Sequence, residues 1–136
     1  GSATSRQGIG VTDYFAKAND ETMIVILIED IIAINNLDSL LTVDHIDVFF
    51  VAPGDLAQSM GHTGNTNHPE VTTAVEKSIR KITAANRVAG TLVNESNVEH
   101  YAKLGVQFFY TVTQPWLEAG AKDIMTRGRD ARGQSN

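Results

Sequence analysis

Four short apolar runs, each followed by a segment of helical pattern, constrain the fold more than any other feature of the sequence. The runs, each interpreted as a buried strand, cover residues 23–28, 46–51, 88–93 and 106–112. Apolar residues then recur at three- and four-residue intervals, which is typical of amphipathic helices. The predicted helices cover residues 11–19, 31–41, 69–86, 96–104 and 115–127. Strands that alternate with helices through short links form a parallel α/β sheet with right-handed crossovers.

This alternation has two architectural interpretations. Four βα units make half of a (β/α)8 barrel of the TIM-barrel family, which needs about 250 residues in full, and this chain has 136 residues. An open four-stranded sheet of the flavodoxin type is the alternative. Neither GxGxxG nor GxxxxGK[ST] occurs in the sequence, so the phosphate-binding loops of nucleotide-binding folds are not predicted.

The chain is predicted to hold one domain with loose ends. Residues 1–10 are rich in Gly and Ser and are expected to be loose. Residues 11–127 are predicted to form the half-barrel domain, and residues 128–136 are expected to be a polar, frayed tail.

The segment that follows the second strand is the strongest candidate for a ligand site. Residues 51–61 contain a proline, two glycines and one acid, and they are predicted to be a loop that leaves the strand. In parallel α/β proteins, the loops at the carboxyl ends of the strands carry the chemistry. Gly54 and Asp55 are therefore expected to meet a ligand.

A second acid occupies an equivalent place on the neighbouring strand. The apolar run at 23–28 suits a strand that is covered on both faces, and Glu29-Asp30 ends it. Two carboxylates at one edge of a sheet predict an oxygen-ligand site for a hard cation such as magnesium or manganese. In the alternative interpretation Asp55 caps the next helix and Glu29 is simply exposed, because acids are common at helix starts.

Composition narrows the classes of partner and site. The net charge is −5, and the largest basic cluster is the region 127–129, so a nucleic-acid partner is not expected. The absence of cysteine excludes a thiolate metal site and a thiol nucleophile. No apolar run approaches the roughly 20 residues that cross a membrane. With no recognisable leader segment, we expect a cytoplasmic protein.

The four histidines do not form a helical metal motif. No two of His45, His62, His68 and His100 lie four residues apart on a helix, so a helical zinc pair is not predicted. His62 follows the predicted ligand loop and is the one local candidate for contact with a substrate. His68 precedes Pro69 and is expected to pack against the entry of the following helix.

Short motifs recur in a fixed order along most of the chain. They are Ile28-Glu29, Asn36-Leu37-Asp38, the run from Ile46 to Leu56, Ser59-Met60-Gly61, Gly64-Asn65 and His68-Pro69-Glu70-Val71. In order and spacing they resemble the HpcH/HpaI aldolases, which are metal-dependent class II pyruvate aldolases of the 2,4-dihydroxyhept-2-enedioate aldolase type. The resemblance covers roughly residues 6–127 and corresponds to strands five to eight of that family's barrel. In the family, the half without a counterpart here carries a catalytic histidine and an arginine that steadies the substrate.

The resemblance implies a role for each acid and for the loop between them. Glu29 and Asp55 match the two carboxylates that hold the family's divalent metal, which is Mg²⁺, Mn²⁺ or Co²⁺. Gly54 and Asp55 match the loop whose backbone N–H groups hold the pyruvate carboxylate.

The implied substrate site also departs from the family's pattern at two positions. Leu27 stands where the family usually has a glutamine, and Ala52 replaces the glycine that precedes Pro53. Leu27 removes a polar contact near the substrate. Ala52 adds a methyl group where the backbone approaches the ligand.

The implied function is that of a carbon–carbon lyase. Such an aldolase converts a hydroxy-ketoacid into pyruvate and an aldehyde through a metal-stabilised enolate, and His62 is the local candidate for proton transfer. The alternative is a catalytically incomplete half-barrel that serves as an assembly module or metal-binding fragment, since open strand edges must be covered. Trp116 and Leu117 on the last helix, together with the open edges, are the predicted contacts of a homo-oligomer.

Overall fold

The computed structural model describes residues 14–133. Its helices and strands are, in chain order, α1 (Tyr14–Lys17), β1 (Val25–Ile28), α2 (Ile31–Asn35), α3 (Leu37–Leu41), β2 (Val48–Val51), α4 (Pro53–Ser59), α5 (Pro69–Ala84), β3 (Val88–Leu92), α6 (Val98–Lys103), β4 (Phe108–Tyr110) and α7 (Gln114–Ala131). The predicted loose segment 1–10 lies outside the described residues. The division of the chain into a domain and two ends stays a prediction.

All four strands are parallel and lie in the sheet in the order β1-β2-β3-β4. A doubly wound sheet of the flavodoxin type changes direction at a switch point, and this sheet has none within the described residues. Sequential order with crossovers of one hand places the covering helices on one face, as around a barrel. The α/β prediction and its half-barrel interpretation are confirmed.

The core lies between the sheet and the helices. Phe49 and Val51 of β2 face the helices and are completely buried, with Leu56 of α4 and Ile79 of α5 among their partners in one apolar cluster. Thr91 is a buried polar residue on this face, and its hydroxyl donates to the Val51 carbonyl at 2.9 Å. Because this hydrogen bond compensates for burial of the hydroxyl, the polar residue is tolerated inside the core.

The opposite face of the sheet carries no helix in the described part of the chain. At Gly90 an added Cβ would lie 2.9 Å from Phe50 Cδ2 and 3.1 Å from Phe108 Cδ1, so aromatic rings close over β3 where a larger residue would clash. Leu27 and Tyr110 remain 55% and 54% exposed, beside an apolar cavity of about 300 Å³. The expectation that the strand at 23–28 is covered on both faces is wrong for one face, where Leu27 is exposed. On this face, aromatic side chains of the sheet itself cover only the region around Gly90.

The predicted helix over residues 31–41 is two short helices that meet at Asn36. The backbone N–H of Asn36 ends α2 by donating to Ile32 O, and its side-chain Nδ2 donates to the same carbonyl at 2.9 Å. A side-chain amide that bonds to the preceding turn competes with continued helix formation. The chain therefore changes direction at Asn36 before α3 begins.

Part of the predicted ligand loop is helical. Residues 53–59 form α4, with Pro53 at its first position. Proline is favoured there because its missing N–H would have no partner in the first turn of a helix. The acid predicted to lie in a loop therefore lies in the first turn of a helix.

The last helix is longer than predicted and stands away from the core. It extends from Gln114 to Ala131 and has no buried residue. Trp116 and Leu117 are 51% and 71% exposed, so their predicted role as an oligomer interface stays a prediction. Within residues 14–133, no helix combines the length and apolar character that a membrane span requires.

Candidate metal and substrate site

The carboxyl ends of β1 and β2 bring the two predicted acidic segments to one edge of the sheet. Ile28 is in register with Val51, and the Ala52 N–H donates to Ile28 O at 3.0 Å, which extends the ladder by one bond. Glu29 follows Ile28 directly, and Asp55 lies in the first turn of α4. The chain segments that carry the two carboxylates therefore leave the sheet side by side.

The adjacent acids Glu29 and Asp30 have different roles. Asp30 is the N-cap of α2, and its Oδ1 accepts from Ala33 N at 2.6 Å. Glu29 is half-buried, and in residues 14–133 its carboxylate has neither a hydrogen-bond partner nor a counter-ion. Local helix capping thus accounts for Asp30 and leaves Glu29 available for a ligand.

Asp55 is also available for a ligand. The N-cap of α4 is Ala52, and no side chain caps this helix, so the capping interpretation of Asp55 is wrong. Asp55 is exposed, and the described part of the chain provides its carboxylate with no hydrogen bond or ion pair. Its negative charge is favourable in the first turn of a helix, yet that interaction leaves the carboxylate oxygens unoccupied.

The backbone beside Asp55 offers two unpaired donors. The N–H groups of Gly54 and Asp55 belong to the first turn of α4 and have no acceptor within residues 14–133. A Cβ built on Gly54 would meet no atom within 4 Å. The approach to these donors is therefore open on the described part of the chain.

Two hydroxyl groups fix the segments around the site. Ser59 Oγ accepts from Ile31 N at 3.0 Å, which joins the end of α4 to the start of α2. Thr91 holds the Val51 carbonyl from the next strand. The sequence analysis missed both hydroxyl groups, and the signal of Thr91 is a polar residue in an otherwise apolar strand.

The remaining predicted substrate positions surround the strand ends. The side chain of Leu27 lies on the helix-free face of the sheet and is more than half exposed. Ala52 and Pro53 are half-buried at the junction of β2 and α4. Their contact with a substrate stays a prediction.

His62 belongs to a separate group of side chains. Its Nε2 lies 2.8 Å from Glu70 Oε2, and its ring stacks on that of His68 with centroids 3.6 Å apart and planes 15° apart. The hydrogen bond from His62, followed by its charge, lowers the pKa of Glu70 below its ordinary value. No hydrogen bond or ion pair among the described residues joins His62 to Glu29 or Asp55, so its role as a catalytic base stays a prediction.

Comparison with known proteins shows the family of this chain. The sequence profile of the HpcH/HpaI aldolase/citrate lyase family matches residues 2–112. The chain belongs to this family. The resemblance inferred from the ordered motifs is therefore confirmed.

Curated relatives of this HpcH/HpaI chain are aldolases. The hydroxypyruvate/pyruvate aldolase of Cupriavidus necator is 40% identical over 124 residues, which are 89% of this chain and 46% of that protein. The 4-hydroxy-2-oxo-heptane-1,7-dioate aldolase of Klebsiella pneumoniae is 39% identical over 119 residues, 86% of this chain and 45% of that protein. The chain thus spans about half the length of the curated relatives it matches.

Solved structures of the same family share the fold. An HpcH/HpaI aldolase/citrate lyase family protein from Burkholderia cenocepacia matches with a TM-score of 0.78 at 24% identity, covering 86% of this chain and 46% of that one. An HpcH/HpaI aldolase from Desulfitobacterium hafniense matches with a TM-score of 0.71 at 25% identity, covering 93% and 51%. The four βα units therefore correspond to about half of each of these chains.

Proposed function

We propose that this chain is the metal-binding half of an aldolase barrel that cleaves a hydroxy-ketoacid into pyruvate and an aldehyde. One observation carries the proposal. Glu29 and Asp55, whose carboxylates have no partner among residues 14–133, follow the carboxyl ends of two neighbouring parallel strands, in a chain whose named relatives are aldolases.

The donor set fits a divalent metal with hard-cation preferences. Carboxylate oxygens suit Mg²⁺ and Mn²⁺, and with Co²⁺ these are the ions we propose for Glu29 and Asp55. Two protein ligands leave the other coordination positions for water and substrate. When bound, such a cation supplies Lewis-acid polarisation of the substrate's oxygens.

The chain's own groups bind and orient the ketoacid in this proposal. The N–H groups of Gly54 and Asp55 donate hydrogen bonds to its carboxylate, because preorganised backbone donors stabilise negative charge at low reorganisation cost. Leu27 presents an apolar side chain to the site and offers no donor. The half-buried Ala52 and Pro53 form the wall between the strand end and these donors.

The proton-transfer group is the part of the reaction that the described residues leave open. The family resemblance places a histidine in the half of the barrel that this chain does not match, and full activity in this proposal requires that complementary half. His62 remains the candidate base within the chain, although its Nε2 is occupied by Glu70.

Calorimetric titration with Mn²⁺, with and without pyruvate, tests the proposed site. Wild-type chain should bind Mn²⁺, and pyruvate should strengthen that binding. Asp55→Asn and Glu29→Gln should each weaken Mn²⁺ binding by at least about tenfold, since even outer-shell partners of metal ligands contribute roughly 10–100-fold. Gly54→Ala should keep the metal affinity and reduce the effect of pyruvate.

Asp44→Asn is the matched control for this titration. Asp44 is an exposed aspartate at the opposite end of β2, so its charge is removed far from the proposed ligands and binding should not change. Equal Mn²⁺ affinity in the wild type, Asp55→Asn and Asp44→Asn would refute the site.

A second candidate function, an assembly module, has an observation of its own. The outer edges of β1 and β4 have no pairing partner in the described part of the chain, and Leu27 and Tyr110 expose apolar surface on the helix-free face. In this proposal a second copy covers that face and the open edges. Open edges and apolar patches of this kind promote association.

Light scattering distinguishes the assembly function from a monomeric half-barrel. The wild type should have the mass of a dimer, and Leu27→Lys should shift it to a monomer because a charge would be buried at the centre of the contact. Ile32→Lys is the control, since Ile32 is 69% exposed on α2, away from the helix-free face. A monomeric wild type at high protein concentration would contradict the assembly proposal.

A further inference from the structure

We propose that His62, His68 and Glu70 form a second metal site, which takes a transition metal such as zinc and is separate from the two carboxylates at the strand ends. One potential ligand atom from each residue lies within 4.8 Å of the other two. This cluster connects the loop after α4 to the first turn of α5. Among the described residues, these three side chains are the group whose potential ligand atoms lie close enough together to hold one metal ion.

The backbone of the connecting loop holds the two histidines in place. Gly61 and Gly64 have positive φ angles of 82° and 76°, a conformation that glycine adopts without strain. His62 N donates to Ala57 O at 2.7 Å, and His68 N donates to Asn65 O at 3.2 Å. Main-chain hydrogen bonds therefore fix the loop, and its backbone conformation brings the two imidazoles together.

The side chains of this cluster are already in direct contact with one another. His62 Nε2 and Glu70 Oε2 are 2.8 Å apart, and the two imidazoles are stacked. A metal ion binds imidazole through a ring nitrogen that carries no proton, and each of the two rings offers such a potential ligand atom.

Modest rotation of side chains converts this arrangement into a coordination sphere. A tetrahedral zinc ion with bonds of about 2.0–2.2 Å spaces its ligand atoms about 3.3–3.5 Å apart. The 2.8 Å contact between His62 Nε2 and Glu70 Oε2 must therefore lengthen slightly, and one ring must turn out of the stack so that the metal lies in both ring planes. The bond that His68 Nδ1 accepts from Glu70 N is long, at 3.3 Å, and is given up at small cost.

The ligand types separate this site from the one at Glu29 and Asp55. Two imidazoles and one carboxylate, with a fourth position for water, are a common zinc set, whereas an all-oxygen pair selects magnesium or manganese. A metal-bound imidazole has no lone pair left to accept a proton. The metal role of His62 and its predicted role as base are therefore alternatives.

The pair His100–Glu76 provides an internal comparison. Its Nε2–Oε1 distance is also 2.8 Å, but the neighbouring ring is that of Tyr101, and the described residues provide no third ligand. It has the same His–carboxylate contact without the second histidine. We therefore expect it to bind no metal.

Zinc titration followed by calorimetry, in excess Mg²⁺ to occupy the carboxylate site, tests the proposal. The wild type should bind one zinc ion per chain. His62→Gln and His68→Asn should each weaken that binding by at least about tenfold, while His100→Gln should not change it. Asparagine is chosen at position 68 because His68 is the N-cap of α5 and asparagine is a good N-cap, so the helix start is kept.

The outcomes are distinct from those of the Mn²⁺ experiment. Zinc binding that is retained in Asp55→Asn and lost in His68→Asn supports the second site, whatever the Mn²⁺ result. Zinc affinity that is unchanged in both histidine variants, lost in Asp55→Asn, or absent from a wild type whose circular dichroism shows it folded would overturn the proposal.

Discussion

Replacing Phe49 with alanine is expected to lower the free energy of unfolding by about 3–5 kcal/mol. Phe49 is fully buried at the centre of the layer between the sheet and the helices. The substitution removes the transfer free energy of the ring and leaves a cavity that close-packed neighbours fill only in part. It also removes the ring that lies 4.7 Å beneath the Arg87 guanidinium. Domains of this size have a total free energy of unfolding of about 5–15 kcal/mol, so the substitution would remove a large share of the stability.

Urea unfolding followed by circular dichroism measures this effect as a lower midpoint at unchanged slope. The matched control is Phe109→Ala. Phe109 lies on the same face of the sheet, in β4, but is 43% exposed, so its replacement should cost about 1 kcal/mol or less. Equal losses for the two variants would mean that the layer between sheet and helices is not the stabilising core.

The parts of the fold that follow from local pattern were predictable. The apolar runs around β1 and β2 and the three- and four-residue spacing of α5 are local signals, and short links between them require parallel strands. The break at Asn36 was not predictable from spacing, because the apolar period continues across it while a side-chain amide ends the helix. The sequence also did not predict that helices cover only one face of the sheet. On the other face Phe50 packs over Gly90 of the neighbouring strand, and a contact between two strands leaves no pattern in either strand alone.

The candidate site, too, was predictable only where local sequence pattern determines it. Acids that follow neighbouring strands are visible in a sequence, so Glu29 and Asp55 were predicted to share one edge of the sheet. The sequence does not show that the N-cap function falls to Asp30 and leaves Glu29 free. The group formed by His62, His68 and Glu70 was missed because its spacing crosses a turn with two left-handed glycines, whereas histidine motifs are sought at helical intervals. Turn geometry, and not periodicity, brings those side chains together.

Replacing Arg87 with methionine is expected to lower the free energy of unfolding by about 2–4 kcal/mol. The Arg87 guanidinium donates to three backbone carbonyls, those of Leu41 at 2.8 Å, Val43 at 3.1 Å and Ile46 at 2.9 Å. Hydrogen bonds from charged groups contribute about 1.5–3 kcal/mol each. The sum is smaller than three independent bonds because the exposed carbonyl of this set regains water. Methionine keeps the apolar stem and removes the guanidinium, so the loss reports the hydrogen bonds together with the contact of the guanidinium with the Phe49 ring.

Arg80→Met is the control in the same unfolding assay. The Arg80 side chain is 64% exposed, and its ion pair with Glu76 spans 3.9 Å, so its loss should cost no more than about 0.5 kcal/mol. Arg87→Lys should recover only part of the stability, because a single ammonium group cannot reproduce a planar fork that reaches three acceptors.

A double-mutant cycle joins the predictions for Phe49 and Arg87. Since the guanidinium lies over the ring, Phe49→Leu and Arg87→Met should be coupled by about 1 kcal/mol. Hydrogen exchange in the turn at residues 42–47 should accelerate in Arg87→Met and stay unchanged in Phe49→Leu. Of these two side chains, Arg87 alone forms hydrogen bonds with that turn. Additive effects with no change in exchange would mean that the conformation of this turn, and of the start of β2 that follows it, does not depend on Arg87.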